Sequence, residues 1–156
     1  MLDTGVHLFF GGECYYRQID ALAMSLCVAK NLHDEGWEEY VLSGYQITKK
    51  YGMPPKVSMA MFTEGFPSAF QRARLASHLK THGIPPLVRV AVLTDNALIR
   101  GAMTAFGWIM PRSTLRAFEV LDVPGCLKWL HDGGSFDQKK ASAVWAEARR
   151  SVGLDA

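Results

Sequence analysis

Four polar residues around the end of the most strongly apolar segment of the chain have side chains that could act on a ligand. Thr94, Asp95 and Asn96 directly follow residues 87–93, and Arg100 lies about one helical turn further on. If residues 87–93 form a strand of an open α/β sheet, these side chains lie at the sheet edge where ligands bind. Asp95 has the chemistry of a general base and Arg100 that of an anion clamp. The alternative interpretation is a capping aspartate with a structural ion pair.

Ser68 begins a second segment with a definite chemical pattern. Ser68 and Gln71 have the spacing of a capping box, in which the serine oxygen accepts a hydrogen bond from a free helix amide and the glutamine reaches back. A phosphate on Ser68 would be favoured electrostatically, because a helix N-terminus stabilises anions. Ser68 is therefore a predicted helix cap and a candidate phosphorylation site.

His78 and His82 are spaced four residues apart, so a helix would place them on one face. The segment lacks the glutamate of the His-Glu-x-x-His zinc pattern, and no third ligand is close in the sequence. An exposed pair on the polar face, beside Gln71 and Arg74, explains the spacing better. No metal or other cofactor is expected.

The three cysteines, Cys14, Cys27 and Cys126, are odd in number and too sparse for a disulfide framework. We expect buried thiols that act as small apolar side chains. Cys126 follows Gly125 close to a predicted helix start at Asp122, where a helix dipole can lower a thiol pKa. Without a histidine neighbour, an inert thiol is the preferred interpretation.

Composition indicates an ordinary globular domain. The chain has 156 residues, of which 49% are apolar and 21% charged, with a net charge of +2. These values exclude disordered and fibrous classes. The basic residues are dispersed, so no nucleic-acid partner is expected. No signal-peptide pattern opens the chain, and the longest apolar stretch, residues 102–110, is far shorter than the ~20 residues of a membrane span. We expect a soluble cytoplasmic protein.

Strand and helix patterns alternate along the chain. Predicted strands lie near residues 6–10, 14–16, 56–62, 87–93 and 115–120, whereas residues 21–29 suit either a strand or a helix. Capping and stop residues, with Asp34 as the cap of the first helix, predict helices over about 34–51, 68–82, 94–107, 122–131 and 137–152. This order predicts an α/β fold, with a mixed sheet of four to six strands, helices packed on it and an added C-terminal helix. The glycines at 133–134 divide a predicted domain, 1–132, from a C-terminal extension, 133–156.

The helix predicted at residues 97–109 is apolar nearly all round, so something must cover it. The C-terminal helix of the same chain is one candidate. A homodimer through residues 97–109 or through the C-terminal helix is the other. Met59, Met61 and Met103 either fill the core or line an adaptable pocket.

Several segments resemble STAS-type domains, the fold of bacterial anti-sigma-factor antagonists, and especially the small STAS-like proteins common in myxobacteria. The resemblance covers residues 6–132. It is carried by Val-Ala-Val-Leu-Thr-Asp at 90–95, Arg-Gly at 100–101, Arg-Ala-Phe at 116–118, Leu-Lys-Trp-Leu at 127–130 and the segment 71–75. In phosphorylatable members a serine follows an acidic residue at the start of the helix after the third strand. Ser68 stands at that point, preceded by Pro67.

The resemblance implies a non-enzymatic regulatory module that binds a protein partner in a bacterial signalling pathway. Its contact residues would be Ser68, Thr94, Asp95, Asn96 and Arg100. The alternative is a small-molecule or lipid carrier with an apolar pocket beneath the helices, and an enzyme of unknown reaction is the third candidate. An apolar cavity in the fold would favour the carrier, whereas an exposed apolar patch without a pocket would favour the module.

Overall fold

The structure is a computed structural model that describes residues 1–101, 103 and 113–154. In this part of the chain the strands are β1 (His7–Phe9), β2 (Cys14–Ile19), β3 (Leu22–Cys27), β4 (Val57–Phe62), β5 (Arg89–Leu93) and β6 (Thr114–Phe118). The helices are α1 (Asp34–Tyr51), α2 (Ala69–Thr81), α3 (described at 97–101 and 103), α4 (Val123–His131) and α5 (Gln138–Ser151).

The strands form one six-stranded sheet whose spatial order equals their order in the chain. β1, β2 and β3 pair antiparallel, and β3, β4, β5 and β6 pair parallel. The segments that contain α1, α2 and α3 connect the parallel strands. The predicted α/β fold, with a mixed sheet and an additional C-terminal helix, is confirmed.

β3 resolves the one ambiguous segment of the sequence. Residues 21–29 show no period because every residue of β3 is buried, so both faces of the strand carry apolar or small side chains. A tight turn joins β2 to β3, and Asp20 adopts a left-handed conformation there with φ of 47°. The predicted turn between β1 and β2 is also present, with positive φ at Phe10, Gly11 and Gly12.

One face of the sheet packs against α4 and α5. Leu22, Met24, Val57 and Met59 point to this face and join a buried cluster with Trp145 of α5. Met59 and Met61 are therefore core residues, as the core-filling interpretation predicts. The predicted division between residues 132 and 133 falls in the turn between α4 and α5, and α5 packs in the same cluster as the strands.

The described part of α3 lies on the opposite face of the sheet. Ile99 and Met103 are buried against Val92, whereas Leu98 is 83% exposed. α5 does not cover this part of α3, because the apolar stripe of α5 is buried against the other face. The rest of the apolar segment, residues 102 and 104–112, lies outside the described residues.

The prediction of three buried thiols is wrong for two of the cysteines. Cys14 and Cys27 are directly opposite each other in the antiparallel β2–β3 pair and form a disulfide. The pairing was not evident from their separation in sequence, because only the β2–β3 hairpin brings the two cysteines together. Cys126 is a buried free thiol, as predicted, and burial together with the nearby Asp122 carboxylate raises its pKa to about 12.

Among the described residues, no helix is long and apolar enough to cross a membrane.

Candidate ligand cavity

Small side chains form the middle of the sheet on the face that carries α1, α2 and α3. Ala23 pairs with Ser58, and Ser25 pairs with Ala60, across the β3–β4 ladder. The same two strands present leucine, methionine and valine to α4 and α5. Because successive side chains of a strand point to opposite faces, each strand can be bulky on one side and small on the other. The small face leaves space beneath the helices.

This space is a cavity of about 160 Å³ between the sheet and helices α1 and α2, here named the α1/α2 cavity. Its floor includes Ala23, Ser25, Ser58 and Ala60, and its remaining walls are mainly aromatic and aliphatic. Ser58 and Ala60 are half-buried although β4 lies in the interior of the sheet, so the helices do not seal the floor. An apolar recess with a few polar groups is the usual form of a small-molecule site.

Aromatic side chains surround the end of the cavity near Trp37. Trp37 is 3% exposed, and its ring centroid lies 5.4 Å from that of Tyr40. Phe9 meets Tyr40 edge-on at 5.4 Å, and Tyr16 meets it edge-on at 6.2 Å. Such edge-to-face contacts are favourable, and they hold the rings in fixed orientations.

Three hydroxyl groups give this end of the cavity its polar character. The Ser25 and Tyr40 hydroxyls share a hydrogen bond of 2.6 Å. The Tyr16 hydroxyl has no hydrogen-bond partner among the described residues, and the residue is 8% exposed. Burial raises the pKa of both Tyr16 and Tyr40, so both phenols keep their protons at neutral pH.

Gln71 fixes α2 against α1 and so sets the shape of the cavity. Its side-chain oxygen accepts from the Ser68 amide, and the Ser68 hydroxyl accepts from the Gln71 amide, as the predicted capping box requires. The Gln71 side-chain nitrogen donates to the Leu32 carbonyl and to Asp34. The backbone carbonyl of Gln71 accepts from Trp37 Nε1 at 2.8 Å. Gln71 is thus buried, and its predicted place on a polar face is wrong.

A charged cluster joins α1 to α2 at the rim of the cavity. Arg74 forms two hydrogen bonds to the Glu38 carboxylate, at 2.7 and 3.0 Å, and His78 Nε2 lies 3.1 Å from the same carboxylate. The hydrogen bonds from Arg74 lower the pKa of Glu38 to about 2, and His78 contributes in the same direction. His78 lines the cavity.

His78 and His82 stack on one another, with ring centroids 5.7 Å apart, and Tyr45 stacks on His82 at 3.9 Å. His82 is exposed as predicted, but His78 is half-buried because it packs against α1. No group of metal-binding side chains occurs in the part of the chain that the structure describes.

The predicted contact residues lie outside the cavity, at the carboxyl edge of the sheet. Ser68 is exposed and caps α2. Thr94 is buried, and its hydroxyl accepts from the Asn96 amide at 3.0 Å. Asp95 accepts from the Val120 amide at 3.3 Å, which ties the loop after β5 to the loop after β6.

The first turn of α3 differs from the predicted arrangement. Asn96, rather than Asp95, bonds an amide of the first turn, that of Leu98 at 2.8 Å. Arg100 is exposed, and within the described ranges it forms no ion pair with Asp95. Asp95, Asn96 and Arg100 lie close together in the chain at the start of α3, but the described residues show no ion pair between Asp95 and Arg100.

The sequence analysis gives an apolar pocket beneath the helices as the alternative but does not identify its lining residues, although the residues of its floor carry a signal. β4 alternates, with Val57, Met59 and Met61 buried on one face and the small residues Ser58 and Ala60 half-buried on the other. β3 likewise has small residues on that face, Ala23 and Ser25. Small residues facing one side of two interior strands can indicate a cavity above them.

No family model, curated protein or solved structure matches this chain.

Proposed function

We propose that the protein is a non-enzymatic carrier that binds a small apolar molecule in the α1/α2 cavity. The observation that carries this proposal is the 160 Å³ space above the small floor residues Ala23, Ser25, Ser58 and Ala60. Protein interiors are close-packed, and apolar space without contents loses dispersion contacts. A ligand of matching size restores those contacts.

The contrast between the two faces of β3 and β4 supports this proposal. On the face toward α4 and α5, Leu22, Met24, Val57 and Met59 are fully buried. On the cavity face, Ser58 and Ala60 are half-buried and open to the recess. A sheet whose only task was to support helices would have bulky residues on both faces of its interior strands.

The proposal is tested by native mass spectrometry of the untagged protein from the organism that makes it. We expect a copurifying small molecule with the wild-type chain and none with Ala60→Leu, because the larger side chain occupies the cavity. Filling the space should also raise the free energy of unfolding of Ala60→Leu by about 0.5–2 kcal/mol. Ala143→Leu, at an exposed position of α5, is the matched control and should retain the molecule.

A regulatory protein–protein interaction of the STAS type is the second candidate. It is favoured by exposed apolar side chains at the carboxyl edge of the sheet, near the predicted contact residues Ser68 and Asp95. Phe70, Leu98 and Leu121 are 62%, 83% and 88% exposed. In the same mass spectrum, a ligand-free complex with another protein would favour this candidate over the carrier.

A further inference from the structure

We infer that the α1/α2 cavity accepts an uncharged ligand about the size of one six-membered ring, whose carbonyl or ether oxygen accepts a hydrogen bond from the Tyr16 hydroxyl. This inference rests on the proposed function, because it names the class of ligand that the same cavity binds. Size, charge and hydrogen bonding each support one part of it.

The volume of the cavity is enough for roughly one ring. The cavity measures about 160 Å³, and an apolar protein cavity of about 150 Å³ accommodates benzene. Phe9, Trp37 and Tyr40 border the space and favour a flat or ring-shaped occupant, since aromatic rings pack well edge-to-face.

The walls of the cavity exclude a charged ligand. Among the described lining residues there is no aspartate, glutamate, lysine or arginine. His78 lines the rim, but its Nε2 already faces the Glu38 carboxylate at 3.1 Å. An ionised group taken into this space would lose its hydration without gaining a counter-charge, which is strongly unfavourable.

Tyr16 supplies the hydrogen bond that orients the ligand. Its side chain lines the cavity and is more than nine-tenths buried, yet no described residue accepts from its hydroxyl. Tyr40, beside it, is already bonded to Ser25. The Tyr16 oxygen also keeps some accessible surface, so its hydroxyl is free to donate to an acceptor that enters the cavity. Because burial keeps the phenol protonated, it remains a donor at neutral pH.

Three probes of nearly equal shape test this inference: acetophenone, cumene and benzoate. They have the same number of non-hydrogen atoms. Acetophenone carries a carbonyl group, cumene has only apolar groups and benzoate carries a negative charge. Each is titrated into the full chain, with affinity measured from the chemical shifts of cavity residues by NMR. We expect acetophenone and cumene to bind and benzoate not to bind.

Tyr16→Phe is the decisive variant, because it removes only the hydroxyl. It should weaken acetophenone binding roughly three- to tenfold, the effect of one hydrogen bond, and should not weaken cumene binding. Retained cumene affinity also shows that the variant is folded. Tyr51→Phe is the control, since the Tyr51 hydroxyl bonds to the Thr4 carbonyl at 3.4 Å and lies outside the cavity lining. It should leave both affinities unchanged.

The outcomes separate the inference from the proposed function. If neither acetophenone nor cumene binds at the cavity, the proposed carrier function is overturned. If both bind and Tyr16→Phe changes them equally, the function stands and the assignment of Tyr16 is wrong. Binding of benzoate at the cavity would overturn the requirement for an uncharged ligand.

Discussion

Glu38 shows how one carboxylate holds two helices together at the rim of the cavity. It accepts two hydrogen bonds from Arg74 and lies beside His78, both on α2. These partners stabilise its charged form, which is why its pKa falls to about 2 from the ordinary 4.5. The folded state therefore binds this proton less readily than the unfolded state.

This difference predicts a pH dependence of stability. The contribution of Glu38 is fully present above pH 4.5 and is lost as the pH falls toward about 2. Glu38→Gln should lower the urea midpoint slightly at neutral pH, since partly exposed ion pairs contribute little. The difference in urea midpoint between Glu38→Gln and the wild type should vanish near pH 2. Urea unfolding across this pH range measures it.

Glu39→Gln is the matched control, because Glu39 is exposed and forms no ion pair within the described ranges. Its midpoint should follow that of the wild type at every pH. A deficit of Glu38→Gln that persists unchanged at the lowest pH would contradict the assigned role of the carboxylate.

At the scale of elements, the start of α2 is held by a complete capping box. Ser68 and Gln71 satisfy each other's amides, and Gln71 also reaches α1. The capping box was predictable because it depends on residues three apart in sequence. The contacts of Gln71 with Leu32 and Asp34 were not, because they join segments that are distant in sequence.

Substitution of Ser68 tests its role as the cap of α2. Ser68→Ala should lower the free energy of unfolding by about 1 kcal/mol, whereas Ser68→Asp should retain most of the stability, because aspartate is also a good cap. Chemical denaturation measures both. Ser77→Ala, at an exposed position within α2, should cause no loss. Equal destabilisation by Ser68→Asp and Ser68→Ala would show that the cap is not the source of the effect.

The start of α1 shows the limit of local prediction. Asp34 is the predicted cap, but the cap is His33, whose Nδ1 accepts from the Gly36 amide at 2.9 Å. The His33 ring also packs against Phe10 in the turn after β1, with centroids 5.3 Å apart. A contact across the fold therefore decides which of two neighbouring residues caps the helix.

At the scale of the whole molecule, the disulfide between Cys14 and Cys27 closes the β2–β3 hairpin beside the cavity. The two cysteines are thirteen residues apart. A cross-link over a loop of this length stabilises a protein by about 3 kcal/mol, chiefly by restricting the unfolded chain. Disulfides are also typical of oxidising compartments, in contrast to the cytoplasmic location that the sequence predicts.

Removal of the disulfide should therefore destabilise the whole domain. We expect Cys14→Ala combined with Cys27→Ala to lower the free energy of unfolding by about 2–4 kcal/mol. Reduction of the wild-type chain should have the same effect. Alkylation of the unfolded protein should modify one cysteine before reduction and three after it. Cys126→Ala should remain sensitive to reductant, and modification of three cysteines without reduction would disprove the bridge.

Much of the fold was accessible from the sequence because its signals are local. The Ser68 cap, the left-handed Gly52 after α1 and the Pro124 in the first turn of α4 each act within a few residues. Alternation in β4 and the continuous apolar character of residues 87–93 indicated strands. The connections between them then indicated an α/β sheet.

Pairings between strands were harder to predict from the sequence, because they depend on which strands are neighbours in the sheet. Cys14 and Cys27 are equally distant from the turn at residues 20–21, so their pairing follows once β2 and β3 are recognised as a hairpin. Because residues 21–29 suit either a strand or a helix, the register of the β2–β3 pair could not be predicted from the sequence.

The sequence by itself determined the helices and every strand except β3, since caps, turns and side-chain periods are set by neighbouring residues. Only the tertiary structure decided that the small side chains of β3 and β4 lie next to each other. It also decided that α1 and α2 span them without filling the space, and that Tyr16 faces that space beside Tyr40. A cavity is a property of what surrounds it, and its surroundings come from segments far apart in the chain.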